Sequence, residues 1–461
     1  MFHLFCSDLV SRKNSLTFKS SKMHMTLGLL LSILSMCGLY SCAVIPKIDE
    51  TTTPAQVAKY IVHNSDWVSV ASISVQRVIK GYPYVSLESV SDGPDSQTHW
   101  YSIYVYDSMG SNCKGSSGKE LSRIYEDSRV TVMATTAQSD QCKKQNLDPQ
   151  DPGCAKVFIT GTFVKVDNTS SEYNFGKEAL FEKHPSMRFW PEDHGFFVAK
   201  VDPIYIDVFY KIEGGHREHV SKEDYLAADI TTLINGASES KECRYFIKLH
   251  FVINYNIVVA LVSVRATTSK LGPLTMNAHV GLIIIGLFLC GLCGCNVIVP
   301  KSPPQPWKTA LMARYIMHYS DWLSMATIST QTSIKGYPFV SLKSVSDGPS
   351  TKSTGTPYLY MSPLDVLAVD LASDQRVSIM ATLAQSDYCR TENFDPQDPR
   401  CAKLLITGGY VKVNKSSSEY QFGLTALLDR HPSMKSWPTD HDFYVAKVVP
   451  TNIEVLDYFG V

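Results

Sequence analysis

Histidine residues recur at matching places in the two halves of this 461-residue chain. The matched histidines are His63 with His318, His184 with His431, and His194 with His441. His194 and His441 each follow an aspartate, and an aspartate that bonds to a histidine can orient it as a general base. Neighbours on a strand point to opposite faces, however, so such an aspartate would not reach the adjacent ring. We therefore predict capping or packing roles for His184, His194, His431 and His441, and surface or packing roles for His63 and His318.

Motifs that would carry catalysis are absent from the sequence. There is no nucleophile elbow, phosphate loop, HExxH pair or carboxylate pair at a recognisable spacing. Asp66-Trp67 and Asp321-Trp322 could lie at the mouth of a pocket, but a helix cap and a core tryptophan are the favoured interpretation. The sequence thus predicts a protein that is not an enzyme, with no catalytic, cofactor-binding or metal-binding residue.

Two pairs of cysteines repeat at the same spacing, Cys142 with Cys154 and Cys389 with Cys401. Each pair bounds a loop that contains Asp-Pro-Gln-Asp-Pro. Such pairs are typical of local disulfides in secreted proteins, and a disulfide that closes so short a loop stabilises a domain by roughly 3 kcal/mol. The alternative is half of a zinc site, but the second pair that four-coordinate zinc needs is missing.

Two acceptor sequences for N-linked glycans occur in the chain, Asn168-Thr169-Ser170 and Asn414-Lys415-Ser416. Both lie in the same predicted turn between a strand and a helix. Surface loops of secreted proteins are where such sequences are used. We therefore predict glycosylation at Asn168 and at Asn414.

Residues 1–43 have the layout of a signal peptide, with a basic region, an apolar run from Met25 and small residues up to Ala43. The same layout returns at residues 276–296. Three explanations stay open: two secretory genes joined in one chain, a fusion processed after translation, or a membrane anchor, for which the run is short. We predict a secreted or endolysosomal protein that contacts a membrane only if residues 276–296 are retained.

Composition and charge indicate a globular protein. Hydrophobic residues make up 44% of the chain and charged residues 19%, and the formal net charge is -1. A chain so balanced has no electrostatic reason to bind nucleic acid. We predict no nucleic-acid partner.

The repeats divide the chain into copy one, residues 44–229, and copy two, residues 297–461, with residues 230–275 as an unmatched linker. Each copy is predicted to contain a helix, four strands, the Cys-bounded loop, a long strand, a second helix that ends at His-Pro, and two final strands. Copy one also carries a Gly/Ser-rich insertion within residues 107–122. Six or seven antiparallel strands in about 160 residues favour a small β-barrel with helices at its ends.

Ordered strings of residues in copy two resemble a known family. They are Ser320-Asp321-Trp322, Ser346-Asp347-Gly348-Pro349, Tyr358-Leu359-Tyr360-Met361-Ser362-Pro363-Leu364, Phe394-Asp395-Pro396-Gln397, Arg430-His431-Pro432-Ser433-Met434 and Leu456-Asp457-Tyr458-Phe459-Gly460. As a set they resemble the CREG glycoproteins, the cellular repressors of stimulated viral early genes. The resemblance implies a mainly β fold with helices (α+β), the split antiparallel β-barrel of FMN-binding pyridoxamine phosphate oxidases, here present twice. It also implies a homodimer, a secreted or endolysosomal location and an occluded flavin pocket.

Each copy departs from the pattern of the family at one place. Copy one lacks the Ser-Pro-Leu string and has the insertion there instead. Copy two does not show the tail that copy one has at Glu223-Asp224-Tyr225, so we expect the contacts of that tail to be missing from copy two.

Two hypotheses for function follow. The first is a non-catalytic secreted glycoprotein that acts in growth or differentiation control by binding a glycan-reading sorting receptor or another cell-surface protein. The second is a flavin (FMN)-dependent oxidoreductase, for which Arg129 and Arg376 are the matched arginines that could bind the phosphate. For the assembly we expect either a homodimer or pairing of the two copies within one chain.

Overall fold

The structure is a computed structural model that describes residues 51–93, 103–108, 127–191, 195–210, 216–237, 302–349 and 351–458. The predicted signal peptide, the segment 276–296, His194 and most of the insertion and linker lie outside the described residues. Residues 47–234 and 302–461 form one compact unit that contains both copies. Within the described ranges, no helix is both long and apolar enough to cross a membrane.

Copy one is a seven-stranded antiparallel sheet that curls into a barrel. Its elements are α1 (Pro54–His63), β1 (Trp67–Ile73), β2 (Pro83–Ser91), β3 (Ile103–Ser108), β4 (Arg129–Thr135), α2 (Asp140–Lys144), β5 (Lys156–Lys165), α3 (Ser171–Lys183), β6 (Phe196–Tyr210), β7 (His216–Val220), α4 (Lys222–Ala227) and α5 (Thr231–Ala237). The strand order is β3-β2-β1-β4-β5-β6-β7. Strand β3 also pairs with β6, which joins the first six strands of the sheet into a ring.

Copy two is a closed six-stranded antiparallel barrel. Its elements are α6 (Thr309–Tyr319), β8 (Trp322–Ile328), β9 (Pro338–Ser346), β10 (Tyr358–Met361), α7 (Val366–Ser373), β11 (Arg376–Thr382), α8 (Asp387–Thr391), β12 (Lys403–Lys412), α9 (Ser418–Arg430) and β13 (Tyr444–Leu456). The barrel order is β10-β13-β12-β11-β8-β9. The predicted α+β class, with a small antiparallel barrel present twice, is confirmed.

Helices α3 and α9 begin and end at matching residues. Ser170 and Ser417 cap their N-termini by accepting a hydrogen bond from the backbone three residues on. His184 and His431 end them, because the proline that follows disfavours helical backbone in the residue before it. The caps therefore place both histidines at fixed points beside the barrels.

Strands β1 and β8 are buried on both faces. One face of β1, which includes Val68 and Val70, lies in the core of copy one. The other face, which includes Trp67 and Ala71, belongs to a hydrophobic cluster shared with copy two. The second face is covered by the other copy, which the pattern of a single strand does not reveal.

The final strands β6 and β13 are each one bent strand, whereas two shorter strands were predicted at each place. The register with the neighbouring strand shifts at Gly161 in copy one and at Gly408 in copy two. A Cβ at Gly161 would collide with the backbone of Asp202, and one at Gly408 with that of Val449. Glycine therefore allows the long strand to stay continuous through the bend.

Strand β7 of copy one and helix α7 of copy two lie outside the sequence predictions. Strand β7 adds a seventh strand to copy one through its pairing with the end of β6. Helix α7 of copy two packs on β8, and its buried Asp370 accepts hydrogen bonds from Thr327 Oγ1 (2.8 Å) and Thr330 N (2.7 Å). Burial raises the pKa of Asp370 above the ordinary aspartate value.

Candidate functional site at the interface between the copies

Each Cys-bounded loop is closed by a disulfide. The Cα atoms of Cys142 and Cys154 are 5.5 Å apart, and those of Cys389 and Cys401 are 5.4 Å apart. The buried ammonium of Lys156 donates to the carbonyl of Cys154 (2.7 Å) at the base of the first loop. Desolvation, with a smaller contribution from Lys343, lowers the pKa of Lys156 to about 7. The disulfide and the lysine together fix the base of the loop.

Both loops extend to the other copy. The side-chain oxygen Oε1 of Gln150 accepts a hydrogen bond from the backbone N–H of Ser344 (3.3 Å). In the reverse direction, Gln397 Oε1 accepts from the backbone N–H of Ser89 (3.1 Å). The loops are therefore arms that bond to strand β9 or β2 of the opposite copy.

A buried aspartate on each arm faces a buried histidine of the other copy. Asp148 Oδ2 lies 2.8 Å from His431 Nδ1, and Asp395 Oδ2 lies 2.8 Å from His184 Nδ1. All four side chains are at most 4% exposed, so water screens these ion pairs little. Breaking such a pair would leave an uncompensated buried charge.

The imidazole of each pair faces an oxygen acceptor on both sides. The second ring nitrogen of His184 lies 3.1 Å from the carbonyl oxygen of Val90, and that of His431 lies 3.1 Å from the carbonyl oxygen of Val345. One ring nitrogen of each histidine thus faces a carboxylate and the other a backbone carbonyl oxygen. Each ring also lies at the C-terminus of a helix, where positive charge is stabilised.

The pKa of each aspartate is lowered despite its burial. Desolvation alone would raise the pKa of Asp148, but the hydrogen bond and charge of His431 and the hydroxyl of Ser344 outweigh it. Ser344 Oγ donates to Asp148 Oδ1 at 2.5 Å. Asp395 has the equivalent partners, His184 and a Ser89 hydroxyl at 2.5 Å, and its pKa is lowered for the same reasons.

Equivalent residues of the two copies meet each other at the centre of this interface. The rings of Trp67 and Trp322 stack with a centroid distance of 5.5 Å and an interplanar angle of 10°. The hydroxyls of Ser69 and Ser324 are hydrogen-bonded at 2.5 Å. Contact between equivalent residues, together with contacts that occur twice with the copies exchanged, is the pattern of a twofold, self-complementary interface. The core-tryptophan interpretation of Trp67 and Trp322 holds, since both are buried.

The two arginines considered for a flavin phosphate bond within the protein. Arg129 binds the carboxylate of Asp127 through Nε (2.8 Å) and Nη2 (2.6 Å), and its Nη1 donates to the carbonyl of Gly336 in copy two (2.7 Å). Arg376 binds Asp374 in the same way and donates to the carbonyl of Gly81 in copy one (2.6 Å). Each guanidinium thus forms a hydrogen bond between the two copies.

These arginines do not fit the phosphate of FMN. Their donor edges already face acceptors, and the hydrogen bond from Arg129 lowers the pKa of Asp127, so the carboxylate beside it is ionised. An ionised carboxylate at that place would repel a phosphate. We therefore derive no chemistry through a flavin at Arg129 or Arg376.

His63 and His318 have a more specific place than the predicted surface or packing role. His63 Nδ1 lies 2.9 Å from Asp92 Oδ1, and His318 Nδ1 lies 2.7 Å from Asp347 Oδ1. Each pair joins the first helix of a copy to the Ser-Asp-Gly turn that follows its second strand. His441 is half-buried beside Phe443, with 5.8 Å between ring centroids. Over the described residues, no cluster of three or more His, Cys, Asp or Glu could hold a metal ion.

The two glycan acceptor sites differ by one residue in the turn between strand and helix. Asn414 Oδ1 accepts hydrogen bonds from Ser416 N (3.0 Å) and Ser416 Oγ (2.8 Å). In copy one the equivalent acceptor is Asp167 Oδ1, which accepts hydrogen bonds from the backbone N–H and the hydroxyl of Thr169. The acceptor asparagine Asn168 is the residue after Asp167. Asn168 and Asn414 are both exposed, so either side chain is accessible from solvent.

The comparisons with known proteins agree with one another. A family model described as CREG, beta-barrel, matches residues 49–227 and 304–461. Protein CREG1 of Mus musculus is 43% identical over 162 residues, which cover 35% of this chain and 72% of that protein. Protein CREG1 of Gallus gallus is 40% identical over 180 residues, which cover 39% of this chain and 92% of that protein.

Similarity to solved structures is weaker. A heme binding protein from Mycobacterium smegmatis has a TM-score of 0.29 and 13% identity, over 38% of this chain and 61% of that one. A similarity of that size supports no inference about a ligand. The two regions matched by the family model together span more than half of the chain. The chain therefore belongs to the CREG family and contains the β-barrel domain of that family twice.

Proposed function

We propose that this chain is a secreted glycoprotein that acts by binding other proteins in growth or differentiation control and catalyses no reaction. The observation that carries the proposal is the use of the interface residues. The arginines, histidines and aspartates there bond to the other copy and to each other. Groups that hold two barrels together are not free to act on a substrate.

Exposed acceptor asparagines support a glycan-reading sorting receptor as one partner. Asn168 lies between β5 and α3, and Asn414 lies between β12 and α9. Glycans at these turns would project into solvent, where a receptor can reach them. We propose that such a receptor carries the secreted protein to endolysosomes.

We also propose that the two copies replace the homodimer expected for a single barrel. The contacts that support this occur twice, once in each direction, as in the Gln150 and Gln397 bonds. A surface that is already paired within the chain is not available to a second molecule. We expect one chain per particle in solution.

The experiment for the glycan proposal uses the full chain secreted from cultured cells. We expect a glycosidase to lower the mass of the wild type, and Asn168→Gln with Asn414→Gln to remove that shift and the uptake of the protein by receptor-bearing cells. Ser416→Ala removes the acceptor site at Asn414, whereas Lys415→Gln preserves it and is the matched control. A wild-type protein without glycan, or uptake that persists in the double variant, would contradict the sorting proposal.

The flavin-dependent alternative is tested on the same preparation. We expect a colourless protein that leaves the fluorescence of added FMN unchanged. A yellow protein with one flavin per barrel, lost on Arg129→Ala and Arg376→Ala, would show that the non-catalytic proposal is wrong.

A further inference from the structure

Each arm contains two Asp-Pro peptide bonds. They follow Asp148 and Asp151 in copy one, and Asp395 and Asp398 in copy two. Acid breaks an Asp-Pro bond more readily than other peptide bonds, because the aspartate can attack its own main-chain carbonyl carbon and the tertiary amide nitrogen of proline is readily protonated. The stability of each of these bonds therefore depends on what holds the carboxylate of its aspartate.

Three of the four carboxylates are held by a side chain. Asp148 and Asp395 each face a buried histidine of the other copy. The side chain of Asp398 is 2% exposed, and its carboxylate accepts hydrogen bonds from Arg400 Nε (3.0 Å) and Arg400 Nη2 (2.6 Å). A carboxylate held in this way does not turn onto its own carbonyl carbon.

The carboxylate of Asp151 is held differently, because copy one has Gly153 where copy two has Arg400. Asp151 Oδ1 accepts a hydrogen bond from the backbone N–H of Gly153 (2.7 Å), and glycine has no side chain that could add a second bond. Asp151 and Pro152 are half-buried, so water and acid reach the bond between them. Of the four aspartates, Asp151 is therefore the one whose carboxylate can attack its own carbonyl.

Two donors converge on the main-chain carbonyl oxygen of Asp151. The backbone N–H of Cys154 donates to this oxygen at 3.0 Å, and the ammonium of Lys156 donates to it at 3.2 Å. When a nucleophile adds to a carbonyl carbon, negative charge forms on the oxygen, and donors placed in this way stabilise that charge. The carbonyl that Asp151 would attack is thus already activated by its surroundings.

Acid strengthens one of these two donors. Desolvation and then the charge of Lys343 lower the pKa of Lys156 to about 7, whereas Asp148, Asp151 and Asp365 act in the opposite direction. A lysine with this pKa is partly neutral at about pH 7.5 and fully protonated at about pH 5. The ammonium that donates to the carbonyl oxygen is therefore completely present in acid.

We propose that the arm of copy one is a self-cleavage site, at which Asp151 breaks its own peptide bond to Pro152 in an acidic compartment. One carboxylate oxygen adds to the carbonyl carbon of the same residue and closes a five-membered anhydride ring. The bond from that carbon to the nitrogen of Pro152 breaks, and the nitrogen takes a proton from the solvent. Water then opens the anhydride, which leaves a free carboxyl end at Asp151 and a free amine at Pro152.

The disulfide of this arm keeps the cut chain together. Cys142 precedes the broken bond and Cys154 follows it, so the two pieces stay covalently joined. The cut falls next to Gln150, which bonds to copy two, so it loosens one of the two arms. The inference goes beyond the proposed function and is compatible with it, because the chain acts once on its own backbone and on no other molecule.

The test uses the full secreted chain, incubated with protease inhibitors at about pH 5 or about pH 7.5 and compared on reducing and non-reducing gels. We expect a fragment that begins at Pro152, appears only after reduction and forms at least about tenfold faster at the lower pH. Asp151→Ala should abolish this fragment. Asp398→Ala, at the matched aspartate whose carboxylate is already held, is the control and should leave its rate of formation unchanged.

A gain of cleavage makes the test specific. Arg400→Gly removes the guanidinium that holds Asp398 and should produce a second fragment, which begins at Pro399. Lys156→Met removes one donor to the carbonyl oxygen and should slow the cut before Pro152 at least about tenfold. The absence of a fragment that begins at Pro152 at either pH, or its persistence in Asp151→Ala, would overturn the proposal. These outcomes do not depend on the glycan and uptake measurements.

Discussion

The two copies present the same chemistry to each other and different chemistry to solvent. Where they meet, Asp148 with His431 repeats as Asp395 with His184, and both tryptophans stack on each other. Away from the interface the sequences differ, since copy one carries a Gly/Ser-rich insertion within residues 107–122 and the acceptor asparagines Asn168 and Asn414 are offset by one residue. A residue at the interface must suit the other copy as well as its own, which restricts what can replace it. Residues away from the interface bear no such restriction.

The largest expected effect is the loss of a cross-copy ion pair. Asp148→Ala leaves the buried imidazole of His431 without the carboxylate that it faces, so we expect the free energy of unfolding to fall by about 3–5 kcal/mol. Asp395→Ala should cost the same amount within about 1 kcal/mol, because its surroundings are equivalent. Denaturant unfolding measures both values. Asp387→Ala, whose carboxylate is 84% exposed on the second arm, is the control and should change stability by less than about 0.5 kcal/mol. Clearly unequal losses at the two aspartates would mean that the two ion pairs do not contribute equally to stability.

The same pairs predict how stability depends on pH. The pKa values of Asp148 and Asp395 in the folded state lie below the ordinary value of 3.8. Their contribution is therefore fully present above pH 3.8 and is lost as the pH falls through the lower folded-state values. We expect these carboxylates to remain ionised at about pH 5, the acidity of endosomes, and the stability they provide to decline only in stronger acid. In Asp148→Ala with Asp395→Ala, the loss of stability below pH 3.8 should be smaller than in the wild type. An equal loss of stability in the wild type and the double variant would mean that groups other than these two carboxylates cause the loss in acid.

A smaller effect is expected from the residue that anchors the tail of copy one. Lys59 Nζ donates to the carbonyl of Ala228 (2.8 Å), and burial lowers the pKa of Lys59 to about 8. Lys59→Ala should lower the free energy of unfolding by about 1–3 kcal/mol and speed proteolysis near α4. Arg314, the counterpart in copy two, is exposed, so Arg314→Ala should cost less than about 0.5 kcal/mol. Equal costs would mean that the tail does not distinguish the copies.

The smallest effect separates the two acceptor asparagines. Asn414→Gln removes the two hydrogen bonds to Ser416 and should lower the free energy of unfolding by about 0.5–1.5 kcal/mol in protein without glycans. Asn168 is one residue beyond the equivalent turn position, so Asn168→Gln should cost less than about 0.5 kcal/mol. Thermal unfolding of the two variants after glycosidase treatment measures the difference. A larger loss of stability in Asn168→Gln than in Asn414→Gln would contradict this prediction.

Local patterns in the sequence predicted the barrels but not their interface. Periodicity and turn residues located most strands, since each depends on neighbouring residues. Helix α7 was missed although Asp365, an N-cap, precedes an apolar run from Val366, a signal that could have revealed it. Strand β7 was missed because His216–Val220 is polar and pairs by its backbone.

The cross-copy contacts join residues far apart in the chain, and no periodicity reports them. Their one local signal is the repeated Asp-Pro-Gln-Asp-Pro loop, which carries Asp148 and Asp395. The sequence identified this loop as a disulfide-closed element and a marker of the repeat. Its role as an arm to the other copy follows only from the structure.

A designed disulfide at the centre of the interface tests most directly whether the copies pair within one chain. Ser69 and Ser324 have their hydroxyls 2.5 Å apart, so Ser69→Cys with Ser324→Cys should oxidise to a bond inside a single chain. We expect the double variant to remain one chain per particle and to migrate faster on a non-reducing gel than either single variant. Bonds only between separate chains, or two free thiols after oxidation, would contradict pairing of the copies within the chain.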